Sequence, residues 1–189
     1  MFIKKALFGI FFLISCQISA SQNNIGLDIN SQDVEVLASI NLDRLNYYTD
    51  GTIYQAELSY LRTTDNNFAT IGISATNMLQ GVEDLSLAFG FKAVFTENFL
   101  AFPLYAKAAY MLPLQSRIPP TSLSIGFAYS PPVLSYLDAK NYSEFRLEAS
   151  MEAISNIHIF TGYRRINTHY ESYDTIFNNS FYGGLKINF

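Results

Sequence analysis

Tryptophan is absent from this sequence, cysteine occurs once, and charged residues make up only 15% of the chain. With Cys16 as the single cysteine, a disulfide framework and a metal site built on several cysteines are both excluded. No His/Asp/Glu spacing typical of a metal site occurs outside one segment near His169, and no motif points to a cofactor. Acidic residues outnumber basic ones by 16 to 12. This balance argues against nucleic-acid binding, because phosphate recognition needs a basic excess.

Long apolar runs are also missing, so the sequence predicts no transmembrane helix after its N-terminus. The first 20 residues have the composition of a secretory signal: Lys4 and Lys5, a short apolar run from Ala6 to Ile14, then small and polar residues. We therefore divide the chain into a signal peptide, 1–20, and one domain, 21–189. Without Lys4 and Lys5, 10 basic residues face 16 acidic ones, a formal charge of −6.

Two processing routes fit this N-terminus. Cleavage after Ala20 has the small residue that such a site requires. Alternatively, Leu13-Ile14-Ser15-Cys16 resembles a loose lipobox, in which Cys16 would be lipidated and become the mature N-terminus.

What the sequence does contain is alternation of apolar and polar residues, repeated about ten times between turn-like clusters. Leu85, Leu87, Phe89 and Phe91, for example, alternate with Ser86, Ala88 and Gly90. The other segments begin near residues 24, 34, 54, 69, 102, 122, 144, 157 and 180. The pattern predicts an all-β fold of about ten strands, with eight as the alternative.

The polar face of these segments indicates which kind of β protein this is. It is rich in Gly, Ala, Ser and Asn with isolated charges, whereas a strand facing bulk water carries many Lys, Glu and Thr. Small residues inside and large apolar residues outside suit a narrow transmembrane up-and-down antiparallel barrel. Aromatic residues near strand ends would form the interfacial girdles; they are Tyr60, Phe95, Tyr110, Tyr129 and Phe181. A periplasmic β-sandwich or lipocalin-like barrel is the soluble alternative.

The last ten residues carry a second indication of an outer-membrane protein. Phe181, Leu185, Ile187 and Phe189 share one face, and the chain ends on the aromatic residue itself. This ending resembles the C-terminal signal of bacterial outer-membrane barrels, which implies insertion by the barrel-assembly machinery. The predicted location is the bacterial outer membrane, with its lipids as partners. The sequence does not indicate an oligomeric state.

One block resembles the YfaZ family of outer-membrane proteins. It comprises Tyr129-Ser130-Pro131-Pro132-Val133-Leu134, the strand from Tyr142 to Ile154, and Phe160-Thr161-Gly162-Tyr163-Arg164-Arg165-Ile166. The family has a "Y-(S/A)-P" corner, a strand containing Glu and Ala, and a "GYRY"-like strand before a final strand that ends in aromatic residues. The resemblance covers about residues 85–189. This chain has fewer Gly, and its loops carry Asn, Thr and Tyr in place of Asp and Gly. The resemblance implies location and architecture and brings no catalytic residues.

The isolated charges of the polar face are predicted to point into the lumen. Asp28 and Glu35 belong to this face, and the remaining members form a predicted lumen charge network: Glu57, Lys92, Lys107, Glu144, Arg146, Glu148, Glu152, Arg164 and Lys186. Charges in a narrow lumen are costly unless they are paired. We therefore predict a salt-bridge network that plugs the barrel. The alternative is a narrow solute channel in which Glu144, Arg146, Glu148 and Arg164 form a charged constriction.

Catalysis is not predicted, and the only candidate is at the rim. Barrel hydrolases need a His near a Ser or an acid. His158 falls at the periplasmic end in this topology. His169 falls in a predicted extracellular loop, 167–179, with Glu171, Ser172 and Asp174 nearby. Aromatic residues around the two long predicted outer loops weakly favour a surface-binding role; they are Tyr136, Tyr142, Tyr170, Tyr173 and Phe177.

Overall fold

The computed structural model describes residues 23–43, 51–64, 66–82, 84–114, 118–170 and 173–189. The predicted signal peptide, both of its processing routes and Cys16 lie outside these residues. Among the described residues, no helix is long and apolar enough to cross a membrane.

Twelve strands form one antiparallel sheet in the described part of the chain. They are β1 (Asn24–Ile29), β2 (Val34–Asn41), β3 (Ile53–Arg62), β4 (Asn67–Met78), β5 (Leu85–Phe95), β6 (Phe99–Ala101), β7 (Leu104–Met111), β8 (Thr121–Ser130), β9 (Ser135–Leu137), β10 (Ala139–Ile154), β11 (Ile157–Tyr170) and β12 (Asp174–Asn188).

Ten of these strands close into an up-and-down barrel, which confirms the predicted fold class and favours ten strands over eight. In chain order, β1 to β5, β7, β8, β10, β11 and β12 each pair with the next strand. Pairing of β12 with β1, from Asn24↔Asn188 to Ile29↔Gly183, closes the ring. The Phe189 N–H also donates to the Asn23 carbonyl oxygen at 2.9 Å. Closure leaves no exposed edge in the barrel wall.

The two ends of the barrel differ. Asn24 and Asn188 pair at what we call the terminal end, so the described part of the chain begins and ends there. A tight turn at this end joins β10 to β11 through Asn156, whose φ of 68° is one that Asn adopts more readily than most residues. The opposite, far end carries the turns that follow β1, β3, β5, β8 and β11.

The prediction of long outer loops is wrong, because the strands at the far end extend into the segments predicted as loops. The segment 167–179 was expected to be a loop, but β11 continues to Tyr170 and β12 begins at Asp174. The connection from Ser130 to Asn141 likewise holds a short 3-10 helix (Pro132–Leu134), β9 and the start of β10. Pro131 and Pro132 lack the N–H groups that would continue β8, so the chain turns there. Toward the far end of these strands, both faces carry polar or mixed residues. The alternation that predicts a strand is therefore lost there.

Side chains on the outer face of the wall are apolar and exposed, as the alternation predicted. The terminal strand is typical, with Leu185, Ile187 and Phe189 each about half exposed. The predicted girdle aromatics, Tyr60, Phe95, Tyr110, Tyr129 and Phe181, are all exposed. The buried residues instead fill the inside of the barrel.

Candidate functional site: the barrel lumen

Five aromatic rings pack together at the far end of the lumen, in what we call the aromatic cap: Phe68, Phe99, Tyr142, Tyr170 and Phe177. These rings come from β4, β6, β10, β11 and β12, and Phe99 sits in the middle of them. Its ring centroid lies 6.2 Å from that of Phe68, 6.0 Å from Tyr142, 6.4 Å from Tyr170 and 5.9 Å from Phe177. Such spacings are those of packed aromatic pairs. Leu61, Val94 and Ile166 extend the same buried cluster.

A short loop strand holds Phe99 in this position. β6 pairs with the end of β5 on one side and with β9 on the other. The Thr96 hydroxyl accepts the Phe99 N–H at 2.9 Å, and the Thr96 N–H donates to the Phe99 carbonyl oxygen at 3.0 Å. The loop between β5 and β7 therefore folds inward and places a 1% exposed ring in the mouth of the barrel.

Below the cap lies a charge cluster, defined as Asp28, Glu35, Glu144, Arg146 and Arg164. Glu35, on β2, is its centre. Arg146, on β10, donates two hydrogen bonds to Glu35 at 3.0 and 3.2 Å, and Arg164, on β11, donates a third. Three strands separate β2 from β10 in the wall, so these bonds cross the lumen.

The remaining members of the cluster complete its pairing. Arg146 also donates to Glu144 at 2.9 Å, and the Tyr142 hydroxyl donates to the same carboxylate at 3.1 Å. Arg164 lies 3.5 Å from Asp28 and donates to Asn178 at 3.3 Å. Both Asp28 and Arg164 have no exposed surface. Two bidentate-capable guanidinium groups thus share three buried carboxylates, an arrangement suited to Arg rather than Lys.

Two further ion pairs lie in the same lumen. Lys92 lies 3.7 Å from Glu57, which also accepts the Ser74 hydroxyl at 2.9 Å. Lys186 lies 3.5 Å from Glu148, which accepts the Tyr182 hydroxyl at 3.2 Å. Each ammonium also sits over a ring, Lys92 over Tyr105 at 4.0 Å and Lys186 over Phe160 at 5.0 Å. Cation–π contact is a further way to hold a charge away from bulk water.

The structure places eight of the nine predicted network residues along this lumen. Glu152 lies apart, because its carboxylate accepts the backbone N–H of Asn156 at 3.1 Å in the turn after β10. Lys107 lines the lumen without an ion pair among the described residues. The sequence ranked Glu35 no higher than other lumen charges, although it is the residue that joins β2 to β10 and β11. The sequence pattern contained no signal for the contact of Glu35 with Arg146, since these residues are more than a hundred positions apart.

The cap was not predicted at all. Tyr142, Tyr170 and Phe177 were expected at the surface of outer loops, but Tyr142 and Tyr170 are buried inside the barrel. Tyr136 and Tyr173, from the same predicted set, are exposed. The sequence did contain a signal for Tyr142. It precedes Glu144 and Arg146 by two and four positions, and residues two apart face the same side of a strand, here the lumen.

His169, the predicted rim residue, lies on β11 rather than in a loop. Its ring pairs with the carboxylate of Asp174 on β12. An acid can orient a histidine, but acyl transfer also needs a nucleophile. Ser172, the hydroxyl predicted beside it, lies outside the described residues.

His158 lies at the terminal end, 3.0 Å from the Asn188 amide. No group of three metal-binding side chains occurs among the residues that the structure describes.

The fold and the lumen together define a class: a closed ten-stranded antiparallel barrel with an apolar outer face and a charged, capped interior. No family model matches the chain, and no curated protein matches it. Among solved structures, the chain is similar to a KdgM porin in complex with disordered oligogalacturonate, with 11% identity and a TM-score of 0.48 over 88% of this chain and 98% of that chain. It is similar to a NanC porin in a rhombohedral crystal form, with 8% identity and a TM-score of 0.43 over the same shares.

Proposed function

We propose that this chain is an integral protein of the bacterial outer membrane, with its termini at the periplasmic end. The exposed apolar outer face supports this placement, because a soluble protein rarely exposes a continuous apolar surface of this extent. Insertion by the barrel-assembly machinery is part of the same proposal, and the outward apolar face of Leu185, Ile187 and Phe189 supports it. Membership of the YfaZ family and removal of residues 1–20 stay predictions.

Within that placement, we propose a structural or surface-interaction role without catalysis, in which the lumen is closed to solutes. The aromatic cap is the observation that carries this proposal. Its five rings come from strands around the barrel and meet at one level of the lumen. The charge cluster lies directly below, and its cross-lumen bonds narrow the space left for a permeating ion. Ten strands leave little bore once side chains fill it, since aqueous channels are found in barrels of about 16 strands.

Planar-bilayer recording tests the closed lumen. Purified protein that shows heat-modifiable migration, the sign of a folded barrel, should give no single-channel steps. Reproducible steps in the wild type that are lost or altered in Glu148→Gln or Arg164→Ala would contradict the proposal. A His169→Ala comparison of phospholipid, lipopolysaccharide and peptide turnover tests the absence of catalysis in the same preparation.

A narrow solute channel is the second candidate, and a cavity favours it. The lumen holds about 180 Å³ of free space lined by Glu57, Lys92 and Glu148 among others. A channel would require the cap to move, since the cavity ends at Tyr142 and Ile166. Conductance that increases in Phe99→Ala would favour this candidate, because that change removes the central ring of the cap.

A further inference from the structure

The cavity below the cap reaches the terminal end of the barrel. Its lining runs from Tyr142 and Ile166, next to the cap, to Asn24 and Ser39 near the termini. A volume of about 180 Å³ far exceeds the roughly 10–15 Å³ of such space that one water molecule needs. The cavity is therefore large enough for a small organic solute, and the cap leaves the terminal end as its side of entry.

Three of the four cations that line this cavity already have carboxylate partners. Arg146 bonds to Glu35 and Glu144, Lys92 pairs with Glu57, and Lys186 pairs with Glu148. Each of these three cations is already engaged by a carboxylate, which leaves it little capacity to bind a charged solute.

Lys107 is the exception. In the described part of the chain its ammonium has no carboxylate within 4.0 Å and no hydrogen bond. Glu148 and Glu57 act on it from beyond that distance, and each already holds another lysine. A lysine held inside a barrel without a direct counter-ion is costly unless water or a ligand supplies one.

The surroundings of Lys107 add a second donor and free space. Tyr105 precedes it by two residues on β7, so both side chains face the lumen, and the Tyr105 hydroxyl makes no hydrogen bond to a described residue. Gly126 stands opposite Lys107 in the β7–β8 register. It presents no side chain, and a Cβ built there would lie 3.6 Å from the Tyr105 ring, an ordinary contact. The cavity wall at this point therefore offers an ammonium and a hydroxyl beside a position that carries no side chain.

We propose that this part of the lumen is a binding pocket for a small anion that carries a carboxylate or phosphate group. Lys107 supplies the charge and Tyr105 a hydrogen bond, a donor pair that suits either oxyanion. The direction of entry, from the periplasm, rests on the proposed outer-membrane placement; the pocket itself does not. The aromatic cap makes the pocket blind, so the solute is bound rather than passed on.

Calorimetric titration of the folded, detergent-solubilised barrel tests the pocket, with succinate and inorganic phosphate as separate probes at constant ionic strength. We expect saturable one-to-one binding of at least one probe, and the preferred probe identifies the anionic group. Lys107→Met keeps the length of the side chain and removes its charge, so affinity should fall at least ten-fold. Lys140→Met, which removes an exposed lysine at the far end, is the matched control and should bind like the wild type.

Gly126→Val covers the case in which Lys107→Met does not fold. Its methyl groups would occupy the space beside Tyr105 without changing any charge, and affinity should fall several-fold. Folded wild type that binds neither probe, or affinity unchanged in Lys107→Met or in Gly126→Val, would overturn the pocket. Single-channel steps would instead contradict the closed lumen and leave the binding result standing, so the two failures are distinguishable.

Discussion

Arg164 and Arg165 are neighbours in the chain with opposite environments. Arg164 points into the barrel and has no exposed surface, whereas Arg165 is exposed on the outer face of β11. The period of two in a strand places successive side chains on opposite faces. Arg164 bonds to Glu35 and Asn178 and lies 3.5 Å from Asp28, while Arg165 donates to Asn167 at 3.3 Å.

This contrast gives a matched pair of variants. Arg164→Ala would leave Asp28 buried without its cation and Glu35 with only Arg146. Removing one partner of a buried ion pair typically lowers the free energy of unfolding by about 3–5 kcal/mol. Arg165→Ala, at an exposed position, should change it by roughly 0.5 kcal/mol or less. Urea unfolding of the refolded barrel in micelles, followed by the heat-modifiable band, measures both, and equal midpoints would refute this account of the cluster.

At the scale of the element, the closing strand β12 depends on a small residue at one inward position. Gly184 lies between Asp28 on β1 and Phe160 on β11. A Cβ at Gly184 would come within 2.3 Å of the Leu27 carbonyl oxygen and 2.5 Å of the Phe160 ring. At Gly183, the preceding residue, the nearest described atom would be the Phe160 carbonyl oxygen at 3.7 Å.

We therefore expect Gly184→Ala and Gly183→Ala to behave differently. Gly184→Ala must displace backbone where β12 seals against β1, and overpacking of this kind costs about 1–3 kcal/mol. Gly183→Ala meets only an ordinary contact and should fold with wild-type yield. The fraction of each variant that refolds into micelles, read on cold denaturing gels, is the measurement. A Gly184→Ala barrel that folds as well as Gly183→Ala would show that the wall adjusts more easily than its geometry indicates.

The whole molecule is a ring that is sealed where β12 pairs with β1. Phe189 contributes to this seal through the bond from its N–H to Asn23, and its exposed side chain belongs to the apolar outer face. Phe189 therefore contributes both to closure and to the apolar outer surface.

Deleting Phe189 should accordingly impair assembly far more than deleting Gly81, which lies in the exposed connection after β4. No atom of a described residue beyond its two neighbours lies within 4 Å of where a Cβ at Gly81 would be. We expect the wild type and the Gly81 deletion to enter the outer-membrane fraction in heat-modifiable form, and the Phe189 deletion to be depleted from it. A freely soluble periplasmic pool of the wild type would contradict the outer-membrane placement itself.

Some of this architecture could be predicted because it depends on short-range pattern. In a barrel wall, alternate residues of a strand face outward and into the lumen. This period of two can be recognised within a few residues of sequence. The ten strands, the outward face of Leu185, Ile187 and Phe189, and the inward direction of Glu144 and Arg146 all follow from it. The lengths of β10, β11 and β12 did not, because alternation fades where the outer face is also polar.

The sequence by itself thus determined the ten strands of the barrel wall, without their lengths, and which face of each is apolar. Only the tertiary structure decided what meets inside: that Glu35 bonds to Arg146 and Arg164 and that Phe99 packs in the far mouth. It also decided that Lys107 has no direct counter-ion among the described residues. Those contacts depend on the closure and stagger of the whole ring, which bring together residues from strands that are distant in the sequence. A local pattern carries no information on such pairings, since any inward charge has the same signature whether or not a partner lies opposite.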